Sequence, residues 1–254
     1  MTSPGWGSLL KRLADNELIL PLFENQMLSE KWPEKYQITI DSGPYYGHGD
    51  GYFHPSSHPL LGARLLYYMF HPDTRDHIVK ERRNMQSLTT LSMGSALHGI
   101  VQTQMEMTGL VKPENIEVEY VNKEHHIRGR IDFIVDHPNG ATLPVEMKTI
   151  NSFSFKKQTE IKPSWDAQLS IALDGIGIDR GILLMVEAGW PYQMREFLVH
   201  RNDALLEEIY TKFALVREAI KTNTPPQYCC AFDSDQMKKC PARFLCWLKE
   251  DDQV

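Results

Sequence analysis

Between residues 126 and 149 the chain alternates with a period of two. Ile127, Ile131, Phe133 and Val135 fall on one parity, and Arg128, Arg130 and Asp132 fall on the other. This is the pattern of a strand with one face on a core. Asp136-His137-Pro138-Asn139-Gly140 supplies turn chemistry, with a glycine free to take positive φ. The return segment, Ala141 to Thr149, sets Leu143, Val145 and Met147 against Glu146 and Lys148. Pairing the two as a hairpin brings the apolar parities to one face and Asp132, Glu146 and Lys148 to the opposite one.

The flanks read as alternating helices and strands. A helical stretch starts at Met93-Gly94-Ser95-Ala96-Leu97-His98 and continues towards Thr108-Gly109, and Ile116 to Val121 is a first strand. Lys162 to Leu173 is a helix with Pro163 in its first turn and Leu169 and Leu173 on one stripe. Gly181 to Val186 is a buried strand, and Gln193 to His200 follows it as another. Asn202 or Asp203 caps a final helix whose stripe is Leu205, Leu206, Ile209, Phe213, Val216 and Ile220, stopped by Pro225-Pro226. Residues 6–20 read as a short amphipathic helix and 41–58 as a long loop. Gly47-x-Gly49-x-Gly51 lacks the strand before it and the helix after it that a phosphate loop requires.

Charge gives the hairpin its chemistry. Two carboxylates held together repel unless a cation lies between them or one keeps its proton. Mg²⁺ favours an octahedral oxygen shell with several waters, which two carboxylates and a substrate phosphate can complete. A lysine on the same face can orient water or stabilise charge developing on phosphorus. A surface salt bridge would explain Glu146 and Lys148 alone, and Glu160-Ile161-Lys162 repeats the spacing just before Pro163, outside any alternating run. Asp132 on the neighbouring strand distinguishes the first pair.

In order along the chain, Gly94-x-x-x-His98, Gly129-x-x-Asp132, Glu146-x-Lys148 and Gln168 resemble the RecB-like branch of the PD-(D/E)xK nuclease superfamily. That branch includes RecB and AddB nuclease domains, CRISPR-associated adaptation exonucleases and phage-encoded relatives. The resemblance implies an α/β fold with a restriction-endonuclease-like core: a central mixed β-sheet flanked by helices, an N-terminal helical region and a C-terminal cysteine-bearing tail. It divides the chain into 1–90 (helices and loop), 91–201 (nuclease core) and 202–254 (final helix and tail). It implies Mg²⁺ or Mn²⁺ held by His98, Asp132, Glu146 and the backbone carbonyl of Met147. Lys148 would be the catalytic lysine, and Gln168 would position it or the DNA strand. The family often has a tyrosine shortly after that glutamine, where this chain has Ala172. The expected activity is exonucleolytic cleavage of single-stranded DNA or DNA ends in recombination, replication or repair, with a helicase or recombination protein as partner. The alternatives are a non-catalytic DNA-binding or helicase-partner subunit on the same fold, or a zinc or iron–sulfur interaction protein.

All four cysteines, Cys229, Cys230, Cys240 and Cys246, lie near the C-terminus. Several RecB-like nucleases bind an iron–sulfur cluster through one early cysteine and three late ones. Cys240 and Cys246 match the last pair, but Met237 stands at the preceding position and Leu61 or Gly62 at the early one. Cys229 and Cys230 could complete a four-thiolate clamp for iron–sulfur or Zn²⁺; the other reading is reduced structural thiols.

Composition sets outer bounds. At 254 residues the chain can bury a sizeable core, and its net charge of −6 argues against a general nucleic-acid coat but not against a local basic groove. No apolar run approaches the ~18 residues of a membrane span, and no signal peptide is visible. A cytoplasmic location is expected, in a bacterium or in a phage-infected host. Arg128, Arg130, Lys148, Lys156, Lys157 and Lys162 crowd the expected site, interleaved with Phe153, Phe155 and Trp165. This suits a surface that tracks a DNA strand, the alternative being a solvated loop with some core aromatics.

Overall fold

The computed structural model describes residues 18–28, 37–38, 50–79, 84–189 and 191–247. Most of the expected helix at 6–20, and the first two glycines of Gly47-x-Gly49-x-Gly51, lie outside these residues.

Five strands form one mixed sheet in the order β1 (Ile116–Asn122), β2 (Ile127–Asp136), β3 (Thr142–Asn151), β4 (Arg180–Ala188), β5 (Met194–His200). Neighbours are antiparallel except β3 and β4, which run parallel. The parallel pair needs a crossover, supplied by the short α4 (Ser152–Lys157) and the longer α5 (Pro163–Ile176). Before the sheet come α1 (Leu20–Met27), α2 (Ala63–Phe70) and α3 (Met85–Met107). After it come α6 (Asp203–Lys221), α7 (Asp235–Lys239) and α8 (Arg243–Trp247). The result is a mixed α/β fold with a central mixed sheet flanked by helices. No helix among the described residues is long and apolar enough to cross a membrane.

Local chemistry accounts for most boundaries. The β2–β3 turn closes as its composition predicts, with His137 N–H donating to Ala141 O at 2.8 Å and Gly140 at φ 90°. Helix α5 begins at Pro163 and ends on Gly177 in the left-handed region, the usual helix-stop conformation. Asn202 caps α6 by accepting from Leu205 N–H at 3.1 Å. Helix α3 begins at Met85, two turns earlier than its periodicity suggests, because Asn84 caps it through Ser87 N–H at 2.8 Å.

Both faces of the sheet are covered by helices, as the expected fold requires. Val101 and Met105 of α3 and Leu22 and Phe23 of α1 pack on Phe133, Val135, Val145, Met147, Leu184 and Val186. On the other face, α2, α5 and α6 pack on Tyr120, Ile127 and Ile131 through Leu66, Ala167, Ile171, Leu206 and Phe213. Ile131 and Phe133, of one parity, therefore serve opposite cores. Strand β1 changes side at the same level, with Ile116 joining the first core and Val118 the second. The cause lies between them. Pairing holds at Ile116↔Phe133 and at Val118↔Ile131, but Glu117, opposite Asp132, takes φ 54°. One left-handed residue breaks the alternation, and Asp132 sits at the step.

Candidate active site

Asp132 is placed by that step. The β2–β3 register runs from Asp136↔Thr142 to Phe133↔Val145 and then stops. One further step would set Asp132 opposite Glu146. Instead the strands diverge, and Met147 N–H donates to Asp132 Oδ2 at 2.5 Å, so the carboxylate replaces a main-chain acceptor. Its other oxygen lies 3.4 Å from His98 Nδ1 of α3.

Glu146 and Lys148 project from β3 towards α5, as their parity predicts. Lys148 Nζ donates to Glu146 Oε1 at 2.8 Å and to Gln168 Oε1 of α5 at 2.6 Å. Gln168 Nε2 donates to the same Glu146 oxygen at 2.7 Å. The three side chains close a triangle in which the amide fixes both the ammonium and the carboxylate.

Charges in this confined space set each other's protonation. Burial, opposed by Lys148 and reinforced by Asp132, raises Glu146 from 4.5 to about 7. Burial also works against the charge of Asp132, yet His98, Met147 N–H and Lys148 bring it below its usual value. Burial opposes the imidazolium of His98 too, but the Asp132 carboxylate prevails and raises it above 6.5. Asp132 is thus the more acidic of the two, and Glu146 the one that keeps its proton to higher pH. Two carboxylates forced apart in this way are a feature of sites that handle protons or cations.

Two further residues belong to the cluster and carry no motif in the sequence. Gln102, one turn after His98 on α3, donates from Nε2 to Asp132 O at 3.1 Å and to Glu117 Oε1 at 2.7 Å. Glu117, the left-handed residue of β1, also forms an ion pair with Arg130. The available signals were the turn spacing from His98 and the register position opposite Asp132.

The Gly129 of Gly129-x-x-Asp132 has a steric reason. A Cβ there would overlap the Tyr120 phenol oxygen and ring, and a Cβ at Gly175 on α5 would overlap the other edge of that ring. The phenol of β1 thus fills the side of α5 that Ala172 leaves small, and it feels the charge of Glu146. At Gly94 a Cβ would meet nothing within 4 Å, so packing does not require a glycine there.

The expected cationic surface divides. Arg128 lies 3.8 Å from Asp50 and over the Tyr52 ring, and Arg130 is bound to Glu117. Lys156 and Lys157 are exposed on α4. Phe155, expected among the interleaved surface aromatics, is instead buried at 4% exposure.

Among the described residues no three or more His, Cys, Asp or Glu side chains are grouped so as to hold a metal ion. The site does offer two buried carboxylates whose mutual repulsion a cation would relieve. A hard ion such as Mg²⁺ suits two such oxygens, with water and substrate oxygens filling its shell. The donor chemistry of Asp132 and Glu146 therefore fits a divalent ion. His98 fits less directly, because an imidazolium must lose its proton before it can ligate.

The tail cysteines are free thiols gathered beside α2. Cys246 Sγ accepts from Arg64 Nε at 3.1 Å, and a Cβ on Gly62 would come within 2.7 Å of Cys229 Sγ. Cys229 thus fills the space beside one of the two positions where the family's early cysteine is expected. Burial raises both Cys229 and Cys246, reinforced at Cys229 by the neighbouring Cys230 and opposed at Cys246 by Arg64.

No family model matches the chain, and no curated protein is similar to it at a significant level. Among solved structures it is similar to SSO0001, with 15% identity over 92% of this chain and 98% of that one, at a TM-score of 0.47. It is also similar to the alkaline exonuclease LHK-Exo from Laribacter hongkongensis, with 16% identity over 68% of this chain and 89% of that one, at a TM-score of 0.48. The complex of LHK-Exo with dAMP matches at 17% identity and a TM-score of 0.47 over the same shares of the two chains. Likeness at this level carries no argument about activity.

Proposed function

We propose that the chain is a metal-dependent deoxyribonuclease of PD-(D/E)xK type, hydrolysing phosphodiester bonds of single-stranded DNA or DNA ends. The carrying observation is the convergence of Lys148 and Gln168 on Glu146, beside an Asp132 displaced from the strand alternation and held across the β2–β3 gap. A salt bridge on a solvated strand needs neither the amide clamp nor the second buried carboxylate.

Asp132 and Glu146, with the Met147 carbonyl and a deprotonated His98, would hold Mg²⁺ or Mn²⁺. When bound, the ion supplies charge neutralisation at the phosphate and lowers the pKa of water. The chain's own groups do the rest. Gln168 holds the Lys148 ammonium in one orientation, from which it directs water at phosphorus and stabilises the added negative charge. The new bond is water oxygen to phosphorus, the bond that breaks is phosphorus to the sugar oxygen, and the proton lost by water balances the one the leaving oxygen gains. Gln102 keeps Asp132 at the gap by gripping its carbonyl. Action on DNA ends in the cytoplasm, alongside a helicase or recombination protein, is part of the same reading.

Lys148→Ala and Asp132→Ala test it. Each is expected to lower Mn²⁺-dependent cleavage by at least about 100-fold, the scale for losing a preorganised charge-stabilising group, with circular dichroism unchanged. Wild-type rates in both folded variants would overturn the assignment.

A further inference from the structure

We propose that Phe153 and Trp165 are two base-stacking platforms flanking Lys148, and that they select single-stranded over duplex nucleic acid; this rests on the nuclease reading of the same site. Phe153 is 68% exposed, while Phe155 of the same short helix is buried at 4%. Phe153 and Phe155 thus divide one short helix between solvent and core.

The presentation is fixed from below. Asn151 caps α4 through Ser154 N–H at 2.8 Å, and Arg195 of β5 donates to Phe155 O at 3.3 Å and Gln158 O at 2.5 Å. Arg195 pairs with Met185, and Met185 with Lys148, so Arg195 stands on the Lys148 face two strands away, about 10 Å at the usual strand spacing. Its grip sets α4 over that face. On the other side, Trp165 precedes Gln168 by three residues on α5, hence on the same stripe, and Gln168 bonds to Lys148.

Each ring carries an ammonium. Lys157 Nζ lies 4.0 Å from the Phe153 centroid, and Lys162 Nζ lies 4.5 Å from the Trp165 centroid. With the ammonium over one face of each ring, a base stacks on the opposite face or displaces the flexible lysine, whose charge then meets the phosphate of the same nucleotide. Bases within a duplex are already stacked on their neighbours and cannot reach either ring without unpairing. Two acids lie near the pairs in sequence, Glu160, exposed in the connecting loop, and Asp166, hydrogen-bonded to Ser170 and Asn202, and they leave Lys156, Lys157 and Lys162 in excess by one.

Fluorescence anisotropy with labelled oligothymidylate and a blunt hairpin duplex, in EDTA to prevent cleavage, decides the matter. Phe153→Ala and Trp165→Ala are each expected to weaken single-strand binding by about tenfold, with duplex binding changed less than twofold. Phe153→Trp should restore it, and Lys157→Gln should reduce the salt slope for single strands by about 0.7. Unchanged single-strand affinity in Phe153→Ala, or equal losses for both ligands, overturns the proposal. Trp165 is half-buried, so if its variant misfolds the more exposed Phe153 decides alone. The two readings fail separately. A wild type that cleaves with Mn²⁺ and ring variants that bind normally would leave the nuclease and remove the platforms. A wild type that cleaves nothing, with single-strand affinity lost in the ring variants, would do the reverse.

Discussion

Glu146→Gln should remove most of a pH dependence in stability that the wild type shows without metal. Glu146 is 4% exposed and titrates at about 7 rather than 4.5, chiefly through burial, with Lys148 opposing and Asp132 adding. Between those two values the folded chain keeps a proton that the unfolded chain has released. Stability therefore falls as pH rises from 4.5 to about 7, and this group contributes no slope outside that window. At ~1.4 kcal/mol per pKa unit, the gap amounts to about 3 kcal/mol. An amide at this position keeps an oxygen that can accept from Lys148 and Gln168, but it cannot ionise. Urea unfolding in EDTA at pH 5, 6, 7 and 8 should show the wild type losing about 3 kcal/mol relative to Glu146→Gln, mostly below pH 7. Other titrating groups contribute to both curves and largely cancel in the difference. Lys148→Met removes the charge that lowers Glu146, so its decline should extend beyond pH 7. Parallel curves for wild type and Glu146→Gln would refute the reasoning, because they would mean that Glu146 is ordinarily solvated.

Other perturbations separate stability from function. Glu117 sits at φ 54°, which costs a non-glycine residue about 1 kcal/mol, so in Glu117→Gly relief of that strain should offset part of the stability lost with the Gln102 and Arg130 contacts. The same variant takes away the acceptor for Gln102 and the partner of Arg130, and the Mn²⁺ needed for half-maximal cleavage should rise severalfold; an unchanged Mn²⁺ dependence would contradict this. Gly129→Ala drives a methyl into Tyr120 and should cost about 1–3 kcal/mol by thermal or urea unfolding, with a smaller penalty in a Tyr120→Leu background. Arg64 bonds Cys246 and Pro226 O and lies 4.0 Å from the Tyr228 ring centroid. Arg64→Ala should therefore loosen the tail, so that trypsin cuts at the already exposed Lys238 and Lys239 well before the core, while cleavage of DNA persists.

Much of this arrangement is written locally. The alternation of 127–135 and 141–149, the Asn-Gly turn and the proline that opens α5 each act within a few residues, so they show in the sequence. The meeting of Glu146, Lys148 and Gln168 follows from strand parity and one helix stripe. What stays hidden depends on several elements at once. Ile127, Ile131, Phe133 and Val135 share a parity, yet they serve two cores, because a left-handed Glu117 on another strand breaks the alternation. Gln102 matters only because α3 crosses β2 at Asp132. The segment of Phe153 and Phe155 shows no helical signal of its own in the sequence, and it is held as a short helix by the Asn151 cap and the Arg195 grip. Nor can spacing reveal that Arg128 and Arg130 have acids of their own chain beside them.

Metal-dependent hydrolysis of DNA by this chain has a direct assay. Purified full-length chain is incubated with end-labelled single-stranded and duplex DNA, with Mg²⁺ or Mn²⁺ or with EDTA. Progressive shortening of single strands is expected with either ion, and none in EDTA. Intact DNA under all conditions, or cleavage unaffected by EDTA, would contradict it.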